Sequence, residues 1–115
     1  MHGICHLEIP AHDLNRIQKF YHDIFGWDTH AFDESYALFK APTGPGGGFS
    51  TYQKPVDNPG FNFYIEVEDI DATLAKVKTS GGSVEKEKTQ ISAEFGFMAF
   101  IKDSEGNMIG LWSAK

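Results

Sequence analysis

The stretch "HLEIPAHDLNRIQKFYHDIFGW", residues 6–27, places a strand, a cap and a helix end to end. With Gly3, Ile4 and Cys5 before it, the alternation of Cys5, Leu7 and Ile9 with His6 and Glu8 predicts a half-buried strand over 3–9. Asp13 then stands where a helix N-cap is expected. Leu14, Ile17, Phe20, Tyr21 and Ile24 recur at helical spacing up to Gly26, the residue type favoured just past a C-terminus. Short strands follow at about 27–32, 35–40 and 47–53, separated by Asp33–Glu34 and by the turn-rich "APTGPGG" (41–47).

The same order then restarts. "QKPVDNPG" (53–60) reads as a linker, and Phe61, Phe63, Ile65 and Val67 alternate with Asn62, Tyr64, Glu66 and Glu68. Asp69 is the second candidate cap, Ile70, Leu74 and Val77 the second apolar stripe, and "SGG" (80–82) the second stop. Strands at about 83–88, 94–102 and 107–113 complete the chain, the last two joined by "KDSEGN" (102–107). A constant shift of 56 positions carries Asp13–Leu14 onto Asp69–Ile70, Ile9 onto Ile65, His6 onto Asn62 and Gly26 onto Gly82. The fold class expected is therefore α+β: two βαβββ modules, about 1–54 and about 60–115, whose strands form a curled mixed sheet within a single domain over 1–115.

Composition narrows the function classes. With 115 residues, 41% hydrophobic and 14% aromatic, the chain has enough apolar material for a sizeable core. A formal charge of −6 and no basic stripe argue against nucleic acid as a partner, because that binding runs on Lys and Arg neutralising phosphates. No apolar run approaches the ~20 residues of a membrane span, and no charged start and apolar stretch marks a leader. A cytoplasmic protein with no membrane partner is the expectation. The single cysteine, Cys5, excludes an internal disulfide and is expected to be a buried, inert thiol.

Strand parity assigns the chemistry to one face. If Cys5, Leu7 and Ile9 face the helix, His6 and Glu8 face away; likewise Asn62, Tyr64 and Glu66, and Met108, Gly110 and Trp112. An imidazole, an amide, carboxylates, a phenol and an indole on that face suit a concave surface for a small molecule better than a face meeting only water. His6 and Glu8 lie about 7 Å apart along a strand, too far for a direct hydrogen bond. Tyr64 and Glu66 are candidates to supply an acid and a carboxylate to an acid–base set. The run "GPGGGF" (44–49) lacks GK[ST] and opens no helix, so its glycines are expected to turn the backbone into a strand rather than to cradle phosphate. "DSEGN" (103–107) is expected to be a hairpin turn, not a calcium loop.

The stretches at 6–27, "FYIEVEDIDATLAKVKTSGG" at 63–82 and "IKDSEGNMIGLW" at 101–112 resemble the vicinal oxygen chelate superfamily. That group contains glyoxalase I, extradiol dioxygenases and the bleomycin- and fosfomycin-resistance proteins. Within it the chain is most similar to the short glyoxalase-like proteins related to lactoylglutathione lyase. The resemblance covers nearly the whole chain and implies paired βαβββ modules forming an open cup, usually in a homodimer. It also implies a divalent ion held by His or Glu from the first, fourth, fifth and eighth strands, where the ion would act as a Lewis acid. Carried over residue by residue, the first position falls on His6. The others fall on or near Phe49, on Asn62 and on Gly110.

One ligand of four survives, so no cofactor is expected, with a divalent metal at His6 as the weaker alternative. The function expected is binding of a small organic ligand, aromatic ones included, in the cup without the family's usual metal. His6, Glu8, Phe49, Asn62, Tyr64 and Trp112 are the binding candidates. The competing readings are a lyase, isomerase or dioxygenase whose altered metal or acid–base set centres on His6, and a module that takes no ligand.

Overall fold

A computed structural model describes residues 1–57 and 59–115. The chain divides into two compact units, Met1–Pro55 and Val56–Lys115. Each carries one helix and one four-stranded mixed sheet.

The first unit runs β1 (His6–Pro10), α1 (Leu14–Phe25), β2 (Asp28–Ala31), β3 (Tyr36–Lys40) and β4 (Gly46–Ser50), with sheet order β1-β4-β3-β2. β1 and β4 are parallel; the other pairs are antiparallel. Asp13 caps α1 as expected, its carboxylate accepting from the Arg16 N–H at 3.0 Å. Gly26 ends the helix at φ 70°, a left-handed conformation that glycine adopts without a Cβ penalty. The helix packs on β2, β3 and β4. Ile9, Ile17, Phe20, Tyr21, Trp27, Ala37, Phe39 and Phe49 are buried there. Four of those rings form a closed stack, with centroids 4.6 Å apart for Trp27–Phe39, 4.9 Å for Phe39–Phe49, 5.3 Å for Tyr21–Phe49 and 4.8 Å for Tyr21–Trp27.

The second unit repeats the order: β5 (Tyr64–Glu66), α2 (Ile70–Thr79), β6 (Ser83–Ser92), β7 (Gly96–Lys102) and β8 (Met108–Ser113), in sheet order β5-β8-β7-β6. Asp69 caps α2 through the Ala72 N–H at 3.0 Å. Asp71 in the first turn, and Lys76 and Lys78 in the last, complement the helix dipole. Ile70, Leu74, Val77, Ala99, Ile101, Ile109 and Leu111 form the core. The 103–107 segment is a hairpin turn: the Asp103 carboxylate accepts from the Glu105 and Asn107 N–H groups and from the Asn107 amide.

The first strand begins at His6, not Gly3, because the β1–β4 ladder opens at His6↔Gly46 and the next position back, Pro45, has no N–H to donate. Cys5 is consequently exposed rather than a buried thiol, and Ile4 is 76% exposed. The fifth strand is confined to three ladder pairs with β8, which leaves Phe61 outside it and 68% exposed. β6 extends to Ser92 along β7 instead of stopping near 88. In the 44–49 run Gly44 turns the chain at φ 81° as expected, while Gly46, Gly47 and Gly48 lie inside strand β4.

Phe49, one of the binding candidates, is fully buried in the ring stack against the helix. Parity explains this: Ile9↔Phe49 and Ala37↔Phe49 are ladder partners, and Ile9 and Ala37 are themselves buried core. Phe49→Ala should therefore destabilise the fold by about 3 to 5 kcal/mol, seen as a lower denaturation midpoint at unchanged slope.

Candidate functional site

The face of the first sheet opposite α1 carries His6 and Glu8 on β1, and Tyr36, Leu38 and Lys40 on β3. Between them runs β4, whose positions on this face are Gly46, Gly48 and Ser50. Tyr36 is the ladder partner of Ser50, but its ring leans along the strand and lies over Gly48, where any Cβ would overlap the ring. That missing side chain lets the phenol cross the whole of β4. Its hydroxyl donates to Glu8 Oε2 at 2.9 Å and lies 2.7 Å from His6 Nε2. The His6 and Tyr36 ring planes are within 7° of parallel.

One hydroxyl hydrogen orders this chain of contacts. An ionised carboxylate only accepts, so the Tyr36 hydrogen points to Glu8. The phenol oxygen then has only lone pairs for His6, and Nε2 must carry the hydrogen that closes the 2.7 Å contact. The sequence runs His6 Nε2–H to Tyr36 O–H to Glu8. Desolvation, and then the hydrogen bond to Glu8 and that carboxylate's negative charge, push the Tyr36 phenol up to about 12. The hydroxyl thus stays protonated throughout the neutral range.

The second sheet repeats the device without the imidazole. Tyr64 on β5 is the ladder partner of Gly110 on β8, and its ring fills the space a Cβ at Gly110 would need. It also meets Phe100, with centroids 5.6 Å apart. Trp112 is half-buried on the same face, and its indole N–H donates to the Phe95 carbonyl at 2.6 Å. Asn62 is exposed and lies before β5, outside any strand.

Of the candidates read from the sequence, His6 and Glu8 are brought together, but by a residue outside that set. Tyr36 is that residue. The signal available for it was the pairing of an alternating "YALFK" (36–40) with a strand of successive glycines, since a large side chain beside a glycine strand has room to lie across it. The register also moves the fourth-strand position. Glu8↔Gly48 in the first sheet corresponds to Tyr64↔Gly110 in the second, so the equivalent residue is Gly48 and not the buried Phe49.

Residues 3–111 match the family model described as the Glyoxalase/Bleomycin resistance protein/Dioxygenase superfamily. A glyoxylase-like domain-containing protein of Didymella fabae is 33% identical over 116 aligned positions, covering 93% of this chain and 91% of that one. A lactoylglutathione lyase of Haemophilus influenzae is 31% identical, over 92% and 88% of the two chains. Among solved structures, a fosfomycin resistance protein of Listeria monocytogenes, complexed with Mn(II) and a dihydroxypropylphosphonic acid, matches with TM-score 0.79 at 15% identity. That match covers 100% of this chain and 94% of the other. At such identity the likeness speaks to the fold alone.

The side chains present do not fit the divalent ion that this resemblance implies. Gly48 and Gly110 carry no donor atom, and tyrosine rings lie where donors would extend. Asn62 offers only an amide oxygen, a weak ligand. His6 Nε2 is engaged by Tyr36. Among the described residues no three His, Cys, Asp or Glu side chains are grouped to hold a metal.

The hydrogen-bonded chain makes the Tyr36 titration a direct probe. A phenol whose folded value is raised stabilises the fold fully below its ordinary value near 10, and that contribution is lost as pH rises through about 12. Ring resonances of Tyr36 should titrate near 12, and Glu8→Gln should bring them back toward the ordinary tyrosine range by removing the carboxylate's charge.

Proposed function

The chain belongs to the glyoxalase/bleomycin resistance protein/dioxygenase superfamily, and on that premise we propose that it binds a small organic ligand without the family's divalent metal. The ligand meets the polar face of the first sheet at His6, Tyr36 and Glu8. The observation that carries this reading is the Tyr36 hydroxyl between the imidazole and the carboxylate: two groups suited to hold a cation are spent on each other through a phenol. What remains is a fixed array of polar atoms beside the apolar Leu38, an arrangement typical of small-molecule recognition. In the second unit, Tyr64 and Trp112 are proposed to contribute aromatic surface on that unit's own sheet, and Asn62 an exposed amide just ahead of β5.

A second reading, a lyase, isomerase or dioxygenase working through an acid–base set centred on His6, is favoured by the same contacts. An imidazole hydrogen-bonded through a hydroxyl to a carboxylate is an arrangement used for moving protons. The relative from Haemophilus influenzae, a lactoylglutathione lyase by name, supports an enzymatic role by likeness only. We also read the protein as a cytoplasmic homodimer. Large exposed apolar side chains, Phe32 at 70%, Phe61 at 68% and Phe95 at 60%, support the second copy.

Untagged protein titrated with Mn(II) or Zn(II) should show no stoichiometric binding that depends on His6, so His6→Ala should leave the metal isotherm unchanged. A screen of small aromatic alcohols, amides and acids should in turn yield ligands that perturb the His6 and Tyr36 resonances. One equivalent of tightly held metal that disappears in His6→Ala would overturn the metal-free reading.

A further inference from the structure

We infer that the His6–Tyr36–Glu8 chain makes this face selective for neutral hydroxyl donors, phenols in particular, over carboxylates of the same size. This rests on the ligand-binding reading above and adds the chemical class of the ligand. Hydrogen count fixes the tautomer. Glu8 accepts the hydroxyl hydrogen of Tyr36, so Tyr36 accepts from His6, which fixes the neutral imidazole as the tautomer protonated at Nε2. Nδ1 is then the nitrogen with the lone pair. A ligand that pairs with it must bring a hydrogen, and a carboxylate has none to give.

Electrostatics point the same way. Glu8 lies two residues from His6 on the same face and keeps its negative charge within one phenol's reach of the imidazole. Of the other basic side chains on this face, Lys40 sits in the row of His6 with β4 between them, two strand spacings or ~10 Å away, and His30 on β2 lies one strand farther. The ladder partner of Lys40 on β2 is Asp28, which offsets it. An anion at His6 therefore meets the nearer like charge and no hydrogen donor on Nδ1. A phenol meets an acceptor at Nδ1. Gly46, on the same face beside His6, contributes no side chain, so a ring can lie over β4 there.

The test uses the intact protein with three probes, phenol, anisole and benzoate, followed by imidazole nitrogen and Tyr36 ring resonances at a pH where His6 is neutral. Expected are an unprotonated Nδ1 and a protonated Nε2 in the free protein, and a phenol affinity at least tenfold above that of anisole or benzoate. Tyr36→Phe keeps the ring on Gly48 but removes the hydroxyl. It should release the tautomer and reduce the phenol preference to less than threefold. Should Tyr36→Phe fail to fold, Glu8→Gln provides the same comparison: its amide can donate to Tyr36, which frees the phenol hydrogen for His6. That variant should shift the tautomer population toward Nδ1–H.

A free protein with its hydrogen on Nδ1, or benzoate binding as tightly as phenol, overturns the inference while leaving the ligand site in place. An Nε2–H tautomer with no response to any of the three probes overturns the inference and the ligand-binding reading together.

Discussion

The absence of a Cβ at the centre of each sheet is the constraint on which the polar faces depend. β4 and β8 are interior strands, paired on both sides, and each carries a glycine on the side away from its helix: Gly48 and Gly110. Neither glycine is there for backbone freedom, since neither has a positive φ. Each leaves a slot one side chain wide, and a tyrosine ring lies in it. In the first unit the slot turns Tyr36 from a residue of one strand into a bridge to another two positions away in the sheet. With any larger residue at position 48, the hydroxyl would be lifted off His6 and Glu8 together.

The opposite face explains why the slot can be so exacting. The stack of Tyr21, Trp27, Phe39 and Phe49 holds β3 and β4 against α1 by large, buried, close-packed rings. Phe39 and Phe49 alternate with Leu38, Gly48 and Ser50, so the packing that fixes one face sets the height and register of the other. Tyr36 reaches two polar partners within hydrogen-bond distance because the strand beneath it cannot slip. Rigid support behind a small polar cluster suits the proposed binding role, since disorder in the cluster would cost binding energy to order.

Membership of the superfamily accounts for the architecture, while the divalent ion that the resemblance implies meets no fitting donor set among the described side chains. His6 stands where the resemblance puts a first ligand. The residues that would complete the set are an amide and two glycines, and a phenol has taken the imidazole nitrogen. The fold is retained by its cores and caps, which owe nothing to the polar face. A change of chemistry on that face is thus compatible with an unchanged architecture.

Much of this was legible in the sequence, for physical reasons that are local. Asp13 and Asp69 cap helices because a carboxylate satisfies N–H groups two or three residues on, and Gly26 ends one because a left-handed turn excludes a Cβ. Periods of 3.6 and 2 marked the buried stripes of both helices and of most strands, and the shift of 56 exposed the repeat. What the sequence could not settle was pairing between distant strands. Phe49 lies one residue away from the polar face, and a single-residue slip inverts every side chain of a strand. Cys5 continues the alternation of the first strand, yet the ladder starts one residue later. By itself, then, the sequence determined the two modules, their caps and the presence of His6 and Glu8 on one face. Only the tertiary structure decided that Tyr36 joins them, because that contact runs diagonally across a third strand and exists only where a side chain is missing.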